Sequence, residues 1–229
     1  MNVRLKNRIG LVMSSSLMIC LTSAYAAAQE DGNWYVKPAL GVSLVSDTNA
    51  NTSNVDALVS PALAGTWDIE TDSGFYAGIG LGYEYKSGVR TELYWEYRTN
   101  DSSTTTSDGN QTFDGNLASS IFYINAYYPL YRQQNWLIHI GAGLGWVQEI
   151  DLDLERDSLE SSFSGDNEFA YQLIAQTEYQ ITSNIRLAGD LRWIDVSSPS
   201  LKGEENALGE VDNIDYNPLS IGLNLQYRF

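Results

Sequence analysis

A chain of 229 residues with a net charge of −16 and a pI near 4.2 is poorly suited to bind nucleic acid, because such binding requires many Lys and Arg side chains that neutralise phosphates. The length suffices for one domain of about 200 residues after an N-terminal segment is removed. No apolar run in that domain approaches the ~20 residues of a membrane-spanning helix, so any entry into a membrane would use strands.

The N-terminus has the pattern of a secretory signal peptide. Three basic residues precede an apolar run at 9–21, and small residues follow at 24–28. The apolar run is too short to span a bilayer, and a cleavage-type sequence follows it. We therefore expect residues 1–28 to be removed and residues 29–229 to form the domain. Cys20, the one cysteine, would be lost with the signal peptide, which leaves no thiol for disulfides or metal binding.

Eight segments of the remaining chain alternate apolar and polar residues with a period of two, the pattern of a strand with one apolar face. In chain order, strands are predicted at 34–44, 75–85, 89–98, 118–130, 136–146, 171–179, 185–193 and 218–229. Pro38 predicts a local irregularity in the first strand, since proline cannot donate a ladder hydrogen bond. The last strand ends at Phe229 and is expected to pair with the first, which would close a barrel.

The connections between these strands alternate in length along the whole chain. Long polar connections lie at 45–73, 99–115, 155–167 and 197–217, and short ones at 86–88, 131–135 and 182–184. Bacterial outer-membrane barrels have even strand numbers, short periplasmic turns and long external loops. The pattern predicts an all-β, eight-stranded antiparallel up-and-down transmembrane β-barrel in the outer membrane of a Gram-negative cell. Both termini would be periplasmic, and the long loops would lie at the cell surface.

A soluble lipocalin-like barrel is the alternative, because it has the same period with the apolar face turned inward. Two features favour the membrane barrel. The polar face is rich in glycine, alanine and serine rather than in the lysine and glutamate of a solvated surface. Aromatic residues also gather at strand ends, as with Trp136 and Trp146, where bilayer interfaces favour them.

Several short motifs follow one another in a fixed order through the second half of the chain. They are Asn125-Ala126-Tyr127-Tyr128, Gly141-Ala142-Gly143-Leu144-Gly145, Phe169-Ala170-Tyr171-Gln172-Leu173, Glu178-Tyr179 before Thr182-Ser183-Asn184, Arg192, and Tyr227-Arg228-Phe229. In this order the sequence resembles the OmpA-like small outer-membrane β-barrel family, which includes opacity-type surface proteins. The resemblance covers essentially the whole domain and implies the fold and the location rather than an activity. Gln176 departs from the glycine that the family commonly has there.

The C-terminal residues also resemble the targeting signal of bacterial outer-membrane barrels. Tyr227 and the terminal Phe229 supply its aromatic positions. The resemblance implies that these two residues form an assembly signal. The expected partners are therefore the barrel-assembly machinery and the lipids of the outer membrane.

Charged residues of both signs lie at the alternate strand positions that are predicted to face the lumen. They are Lys37, Glu84, Arg90, Glu92, Glu96, Arg98, Glu178, Arg186, Asp190, Arg192 and Arg228. The interior of an eight-stranded barrel is just wide enough for side chains, and each unpaired charge in it would cost several kcal/mol. We predict a buried ion-pair network that plugs the lumen. The alternative is a narrow channel for small solutes or ions, gated by the same pairs.

His139 is the sole histidine and the one candidate for an imidazole general base. A lipid-modifying enzyme would need it beside a nucleophilic serine near the outer leaflet, whereas strand direction places it in the lumen near a periplasmic turn. We therefore predict a non-enzymatic protein with an envelope-structural or surface-interaction role and an unidentified extracellular partner. The small-solute channel and the lipid-modifying outer-membrane enzyme are the alternatives.

Acidic residues are concentrated in the long connections. From 149 to 168 there are eight carboxylates and one base, Arg156. Five of the carboxylates share one face of an extended strand: Glu149, Asp151, Asp153, Glu155 and Asp157. An EF-hand is excluded, because Arg156 and Ser162 replace its glycine and its closing glutamate. We predict no resident cofactor and, at most, weak Ca²⁺ or Mg²⁺ binding at this ladder, with a purely solvated acidic surface as the alternative.

Overall fold

The computed structural model describes residues 32–57, 65–106, 111–156, 159–197, 199–204 and 207–229. Within these ranges the chain forms thirteen β-strands in a single sheet, and every pairing is antiparallel. None of the described residues belongs to a helix that is long and apolar enough to cross a membrane. The predicted signal peptide, with Cys20, lies outside the described residues.

The strands follow one another through almost the entire described chain. In chain order they are β1 (Asn33–Leu44), β2 (Thr48–Ala57), β3 (Gly65–Thr71), β4 (Gly74–Glu84), β5 (Arg90–Thr106), β6 (Thr112–Gln133), β7 (Trp136–Arg156), β8 (Leu159–Gly165), β9 (Phe169–Gln180), β10 (Ile185–Val196), β11 (Leu201–Gly203), β12 (Ala207–Asp212) and β13 (Leu219–Arg228). The prediction of eight strands is wrong for the sheet as a whole. Three long connections contain strands of their own, and β5, β6 and β7 extend well beyond their predicted ends.

The pairings form two closed circuits that share β5, β6 and β7. The first circuit, here the basal barrel, runs β1–β4–β5–β6–β7–β9–β10–β13 and returns to β1. The second, here the extension, joins the far ends of β5, β6 and β7 through β8, β11, β12, β2 and β3. The antiparallel up-and-down barrel and the pairing of the last strand with the first are thus confirmed.

The basal barrel has an apolar outer face. Exposed side chains there include Leu40, Val42, Phe75, Ile79, Leu81, Leu93, Phe122, Ile124, Ile138, Ile140, Leu144, Leu173, Leu187, Leu191, Ile221, Leu223 and Leu225. Aromatic pairs lie at both margins of this belt, with ring centroids of Trp34 and Tyr83 5.3 Å apart at the short turns. At the opposite margin, the Tyr171 and Trp193 centroids are 5.6 Å apart. This is the pattern of a barrel in lipid with two interfacial girdles.

Pro38 interrupts one of the two ladders that β1 forms. Pairing with β13 is absent at Lys37 and Pro38 and resumes at Ala39 in the same register, whereas pairing with β4 continues opposite Ile79. The predicted irregularity is therefore local. It follows from the N–H that proline lacks.

The extension has the opposite arrangement, with a mainly apolar interior. Its buried side chains include Ala50, Trp67, Ile69, Phe113, Leu117, Ile150, Leu152, Leu154, Phe163, Leu201, Ala207, Val211 and Ile214. Trp67 and Phe163 meet edge to face, with centroids 5.6 Å apart. Complete burial of each large side chain contributes about 1.5–3 kcal/mol. Among the described residues of the extension, Leu208 is the one large apolar side chain that is exposed.

A β-bulge at Gln148 exchanges the two faces of β7. Ser120 pairs with Glu149 and Ile121 pairs with Val147, so Gln148 is an extra residue on β7. Before the bulge odd-numbered residues such as Val147 face inward, and after it even-numbered residues such as Ile150 do. A one-residue shift reverses which face each side chain occupies. The bulge therefore turns β7 from a lipid-facing strand into one that buries its apolar residues.

Candidate functional site

The lumen of the basal barrel contains ten buried charged side chains in equal numbers of each sign. They are the bases Lys37, Arg90, Arg98, Arg186 and Arg192 and the acids Glu84, Glu92, Glu96, Glu178 and Asp190. All ten belong to the predicted lumen set. The eleventh, Arg228, lies nearer solvent, with 16% of its side chain exposed.

Four of these side chains form a cluster near the short turns. Arg186 bonds Glu84 through both terminal nitrogens, at 2.6 and 3.0 Å. Arg90 Nε donates to Glu84 at 3.1 Å, and Arg90 Nη2 donates to Glu178 at 2.8 Å. Such forked guanidinium–carboxylate contacts are among the stronger hydrogen bonds in proteins. The cluster joins β4, β5, β9 and β10 across the lumen.

Lys37 and Glu92 form the central pair of the lumen, 2.7 Å apart. Tyr127 accepts a hydrogen bond from Lys37 Nζ at 3.0 Å and donates one to Glu92 at 2.9 Å. Tyr35 also donates to Glu92, at 3.1 Å. The buried carboxylate is thus satisfied by a lysine and two tyrosines, which offsets the cost of removing it from water.

A third group lies where the basal barrel meets the extension. Arg192 pairs with Asp190 at 2.9 Å, and its guanidinium lies 4.2 Å from the centroid of the Tyr94 ring. Arg98 pairs with Glu96 at 2.6 Å. The terminal nitrogen Nη1 of Arg98 also donates to the hydroxyls of Ser43 and Ser220. These contacts end the charged part of the lumen directly below the apolar core of the extension.

Buried tyrosines complete the lumen packing, and sequence reasoning did not single them out. Tyr35, Tyr76, Tyr94, Tyr123 and Tyr127 are all at most 2% exposed. These tyrosines occupy the same alternate positions along their strands as the charged residues, and this pattern in the sequence could have identified them. Glycines opposite them make the room: a Cβ at Gly222 would lie 1.7 Å from the Tyr76 hydroxyl, and one at Gly82 would lie 2.2 Å from the Tyr35 ring.

His139 is buried in the lumen beside the cluster near the short turns. Its Nδ1 atom lies 3.4 Å from a Glu178 carboxylate oxygen. Within the described chain, neither ring nitrogen has a hydrogen-bond partner. The structure therefore does not pair this imidazole with a serine or threonine hydroxyl.

The acidic ladder lies on the outer face of the extension, and the structure adds a residue to it. Carboxylate oxygens of Glu149, Asp151 and Glu204 lie within 4.8 Å of one another. Glu204 follows β11 and is distant in sequence, so periodicity within β7 gave no signal for it. Asp153 instead accepts a hydrogen bond from Asn116 at 3.1 Å. Glu155 is not part of the group, and Asp157 lies outside the described residues.

Asp151 is the member of this group whose proton affinity changes most clearly. Its partial burial, together with the charges of Glu149, Asp153 and Glu204, raises its pKa from 3.8 to about 7. Three neighbouring carboxylates and reduced hydration both disfavour its ionised form. The site is therefore electrostatically strained at neutral pH and would gain from a cation.

The C-terminal residues lie at the seam between β13 and β1. The Phe229 N–H donates to the Trp34 carbonyl at 3.0 Å. The rings of Tyr227 and Phe229 are stacked with centroids 6.4 Å apart, and both are exposed on the apolar belt. Their recognition by the barrel-assembly machinery stays a prediction.

Comparisons with known proteins agree with this architecture. A family model described as "Outer membrane protein beta-barrel domain" matches residues 14–229. A search of curated proteins found no match.

Among solved structures, a major outer membrane protein from Thermus thermophilus is 12% identical, with 85% of this chain and 99% of that chain covered and a TM-score of 0.54. Neisserial surface protein A, from Neisseria, is 16% identical, with 83% of this chain and 95% of that chain covered and a TM-score of 0.45. The outer membrane protease OmpT of Escherichia coli is 11% identical, with 86% of this chain and 97% of that chain covered and a TM-score of 0.48. The Thermus likeness supports the barrel fold.

Removal of one carboxylate from the lumen should be far more costly than removal of one from the surface. Glu84→Ala should destabilise the protein by about 3–5 kcal/mol, because it leaves buried guanidinium groups without their partner. Glu160→Ala, at an exposed position, is the matched control and should change stability by less than about 0.5 kcal/mol. Urea unfolding in lipid vesicles measures both variants. Equal effects would show that the lumen pairs do not stabilise the fold.

The raised pKa of Asp151 predicts that the extension is less stable at higher pH. From pH 3.8 to about 7 the folded state holds a proton that the unfolded state releases, so stability falls as pH rises through this window and is level above it. Asp151→Asn should remove this part of the pH dependence. The extension can be followed by ¹⁹F NMR of fluorotryptophan at Trp67, which lies in its core. An unchanged pH profile in the variant would contradict the assignment.

Proposed function

The chain belongs to the outer membrane protein β-barrel domain family, and from this premise we propose that it is a non-conducting, non-enzymatic barrel with an envelope-structural or surface-interaction role. The protein is a transmembrane barrel of the outer membrane. In the proposal, the eight strands of the basal barrel cross the membrane and the extension projects from the cell surface. The described chain ends and the short turns, which lie at the opposite margin, then face the periplasm.

The observation that carries the proposal is that the interior is filled at two successive levels. In the basal barrel, five buried acids and five buried bases occupy the lumen. Above them the extension closes around apolar side chains such as Trp67, Phe113 and Leu152, each at most 1% exposed. A hydrated ion would have to separate buried pairs and then cross an apolar core, and both steps are costly. This arrangement favours a plugged barrel over a channel.

The polarity of the extension supports the proposed orientation. Its outer face is polar and its described exposed residues include one large apolar side chain, so it suits water rather than lipid. Long external segments are typical of outer-membrane barrels, whereas their periplasmic turns are short. The described C-terminal residue Phe229 lies beside Trp34, at the short-turn end.

Surface contacts are supported by an acidic row of four carboxylates and one serine across five strands of the extension. The register places Glu70 beside Ser103, Ser103 beside Asp114, Asp114 beside Glu155, and Glu155 beside Glu160. Three carboxylates thus lie side by side on the outer face, and Ser103 separates them from the fourth, Glu70. Such a field attracts cationic partners and repels other acidic surfaces. A role in contacts at the cell surface uses this face.

The lipid-modifying alternative is not supported by the surroundings of His139. The imidazole is buried in the lumen beside Glu178, away from any lipid-facing surface. A general base must lie within hydrogen-bond reach of the proton that it removes. The non-enzymatic proposal agrees with this placement.

Single-protein conductance in planar bilayers tests the proposal against the channel alternative. The wild type should show no conductance steps. The double variant Lys37→Ser, Glu92→Ser removes the central pair and should stay silent, because the extension core still closes the interior. Conductance in the wild type would contradict the proposal. Conductance that appears only in the double variant would mean that the charged pairs alone close the lumen.

We also propose weak binding of Ca²⁺ or Mg²⁺ at the extension, carried by the approach of Glu149, Asp151 and Glu204 to within 4.8 Å. Hard oxygen ligands suit both ions. Bound cation would relieve the repulsion that raises the Asp151 pKa.

Calcium titration at pH 8 should raise the thermal stability of the detergent-folded protein. The gain should be smaller at pH 5, where Asp151 is protonated, and absent in Asp151→Asn. Asp114→Asn, in the acidic row, is the control and should keep the gain. Equal gains in all three proteins would indicate a diffuse ion atmosphere, and no gain up to millimolar calcium would indicate a merely solvated acidic surface.

A further inference from the structure

The short-turn end of the basal barrel contains an open pocket of about 280 Å³ that is lined by charged side chains. We call it the mouth pocket and define it by Glu84, Lys86, Arg132, Arg186 and Arg228. Four of these five residues are basic. In a chain with a net charge of −16, the described side chains of the mouth pocket therefore carry a net positive charge.

Among the described side chains, the positive charge at the mouth pocket exceeds the acidic charge that contacts it. Glu84 is approached by Arg186 at 2.6 Å, Arg132 at 3.5 Å and Arg228 at 3.8 Å. Arg90, behind the pocket, also contacts Glu84 at 3.1 Å. One carboxylate thus serves four guanidinium groups.

A second carboxylate does not remove the excess. Glu178 pairs with Arg90 and Arg186 and not with the two arginines at the rim. Lys86 also lines the pocket. Among the described side chains, counting Arg90, Arg132, Arg186 and Arg228 against the two carboxylates leaves a surplus of two charges. Charges of one sign held together in partly desolvated surroundings favour a counterion.

Among the described residues, two donor groups beside the pocket lack a partner, although Arg228 Nη2 donates to the Ser183 carbonyl. Within the described chain, the Nε atoms of Arg186 and Arg228 are buried and have no hydrogen-bond partner. Arg186 is 1% exposed, so its unpaired N–H is a true cost of the fold. Arg132, by contrast, has 55% of its side chain exposed and can turn toward a ligand. One fixed arginine and two arginines at the rim thus surround the opening.

We propose that the mouth pocket binds an oxyanion, specifically a phosphate group. Guanidinium forks match the oxygen geometry of phosphate and bind it through two parallel hydrogen bonds. A doubly charged phosphate also balances the surplus of two. Phosphate binding at the mouth pocket does not depend on the proposed function of the protein. The proposed orientation only assigns the pocket to the periplasm.

The phosphate has two conceivable sources. One is soluble phosphate on that side of the membrane. The other is the headgroup of a phospholipid in the adjacent leaflet, because the aromatic pair of Trp136 and Tyr179, 5.0 Å apart, marks the bilayer interface at this margin.

Binding of inorganic phosphate to the full protein in maltoside detergent, followed by ³¹P NMR line width and calorimetry, tests the proposal. The wild type should bind saturably at constant ionic strength. Arg132→Gln and Arg228→Gln should each weaken binding about tenfold or more, since each loses a charge-assisted contact. Arg156→Gln, which removes an exposed arginine at the opposite end, is the matched control and should bind like the wild type.

Nanodiscs distinguish the two sources. If a lipid headgroup occupies the pocket, the apparent affinity for inorganic phosphate should fall in discs that contain phosphatidylglycerol. If soluble phosphate is the ligand, the affinity should equal that in detergent. Absence of saturable binding in detergent, or equal binding by the wild type and Arg132→Gln, would overturn the proposal. Arg132 is exposed, so its variant keeps the test valid even if Arg228→Gln, in the closing strand, does not fold.

Discussion

A sheet that passes from a bilayer into water must change its outer face from apolar to polar at the boundary, and the rest of this structure depends on that change. In lipid every backbone group has to be bonded within the protein, which requires a closed circuit of strands. The chain continues this solution into water by closing a second circuit on β5, β6 and β7. The basal barrel places its apolar side chains on the outside, against lipid. The extension places its apolar side chains on the inside, where they form a packed core.

The two interiors support each other at the level of Arg98. Below this level, charges and tyrosines dominate the lumen. Above it apolar side chains dominate, with Ser102 and Thr104 buried among them. Arg98 bonds Glu96 and two serines, while Asn100, one step further along β5, donates to the carbonyls of Ser43 and Asp72. Arg98 and Asn100 thus mark the transition from the polar lumen to the mainly apolar core of the extension. Side chains of the sheet itself are therefore buried on both sides of this level.

The sequence predicted which side chains of the basal barrel face the lumen and which face outward, because apolar and polar residues alternate regularly in each of its strands. It could not predict the extension, because the long connections are rich in Asn, Ser, Thr and Asp and resemble loops. In β7 the apolar residues keep one parity from Trp136 to Leu154, and only the bulge at Gln148 turns the later ones inward. No periodicity indicates such a bulge. Glu204 was missed for a related reason, since its approach to Asp151 depends on the tertiary pairing of β11 with β8.

The central claim is tested most directly by a nitroxide scan of residues 136–155 in lipid vesicles, with accessibility measured to oxygen and to a water-soluble nickel reagent. Even-numbered positions up to Trp146 should be accessible to oxygen. Beyond Gln148 the phase should reverse, so that Glu149, Asp151 and Asp153 are accessible to nickel and Ile150 and Leu152 to neither reagent. An unbroken alternation through Leu154, with its even positions still exposed to lipid, would contradict the exchange of faces.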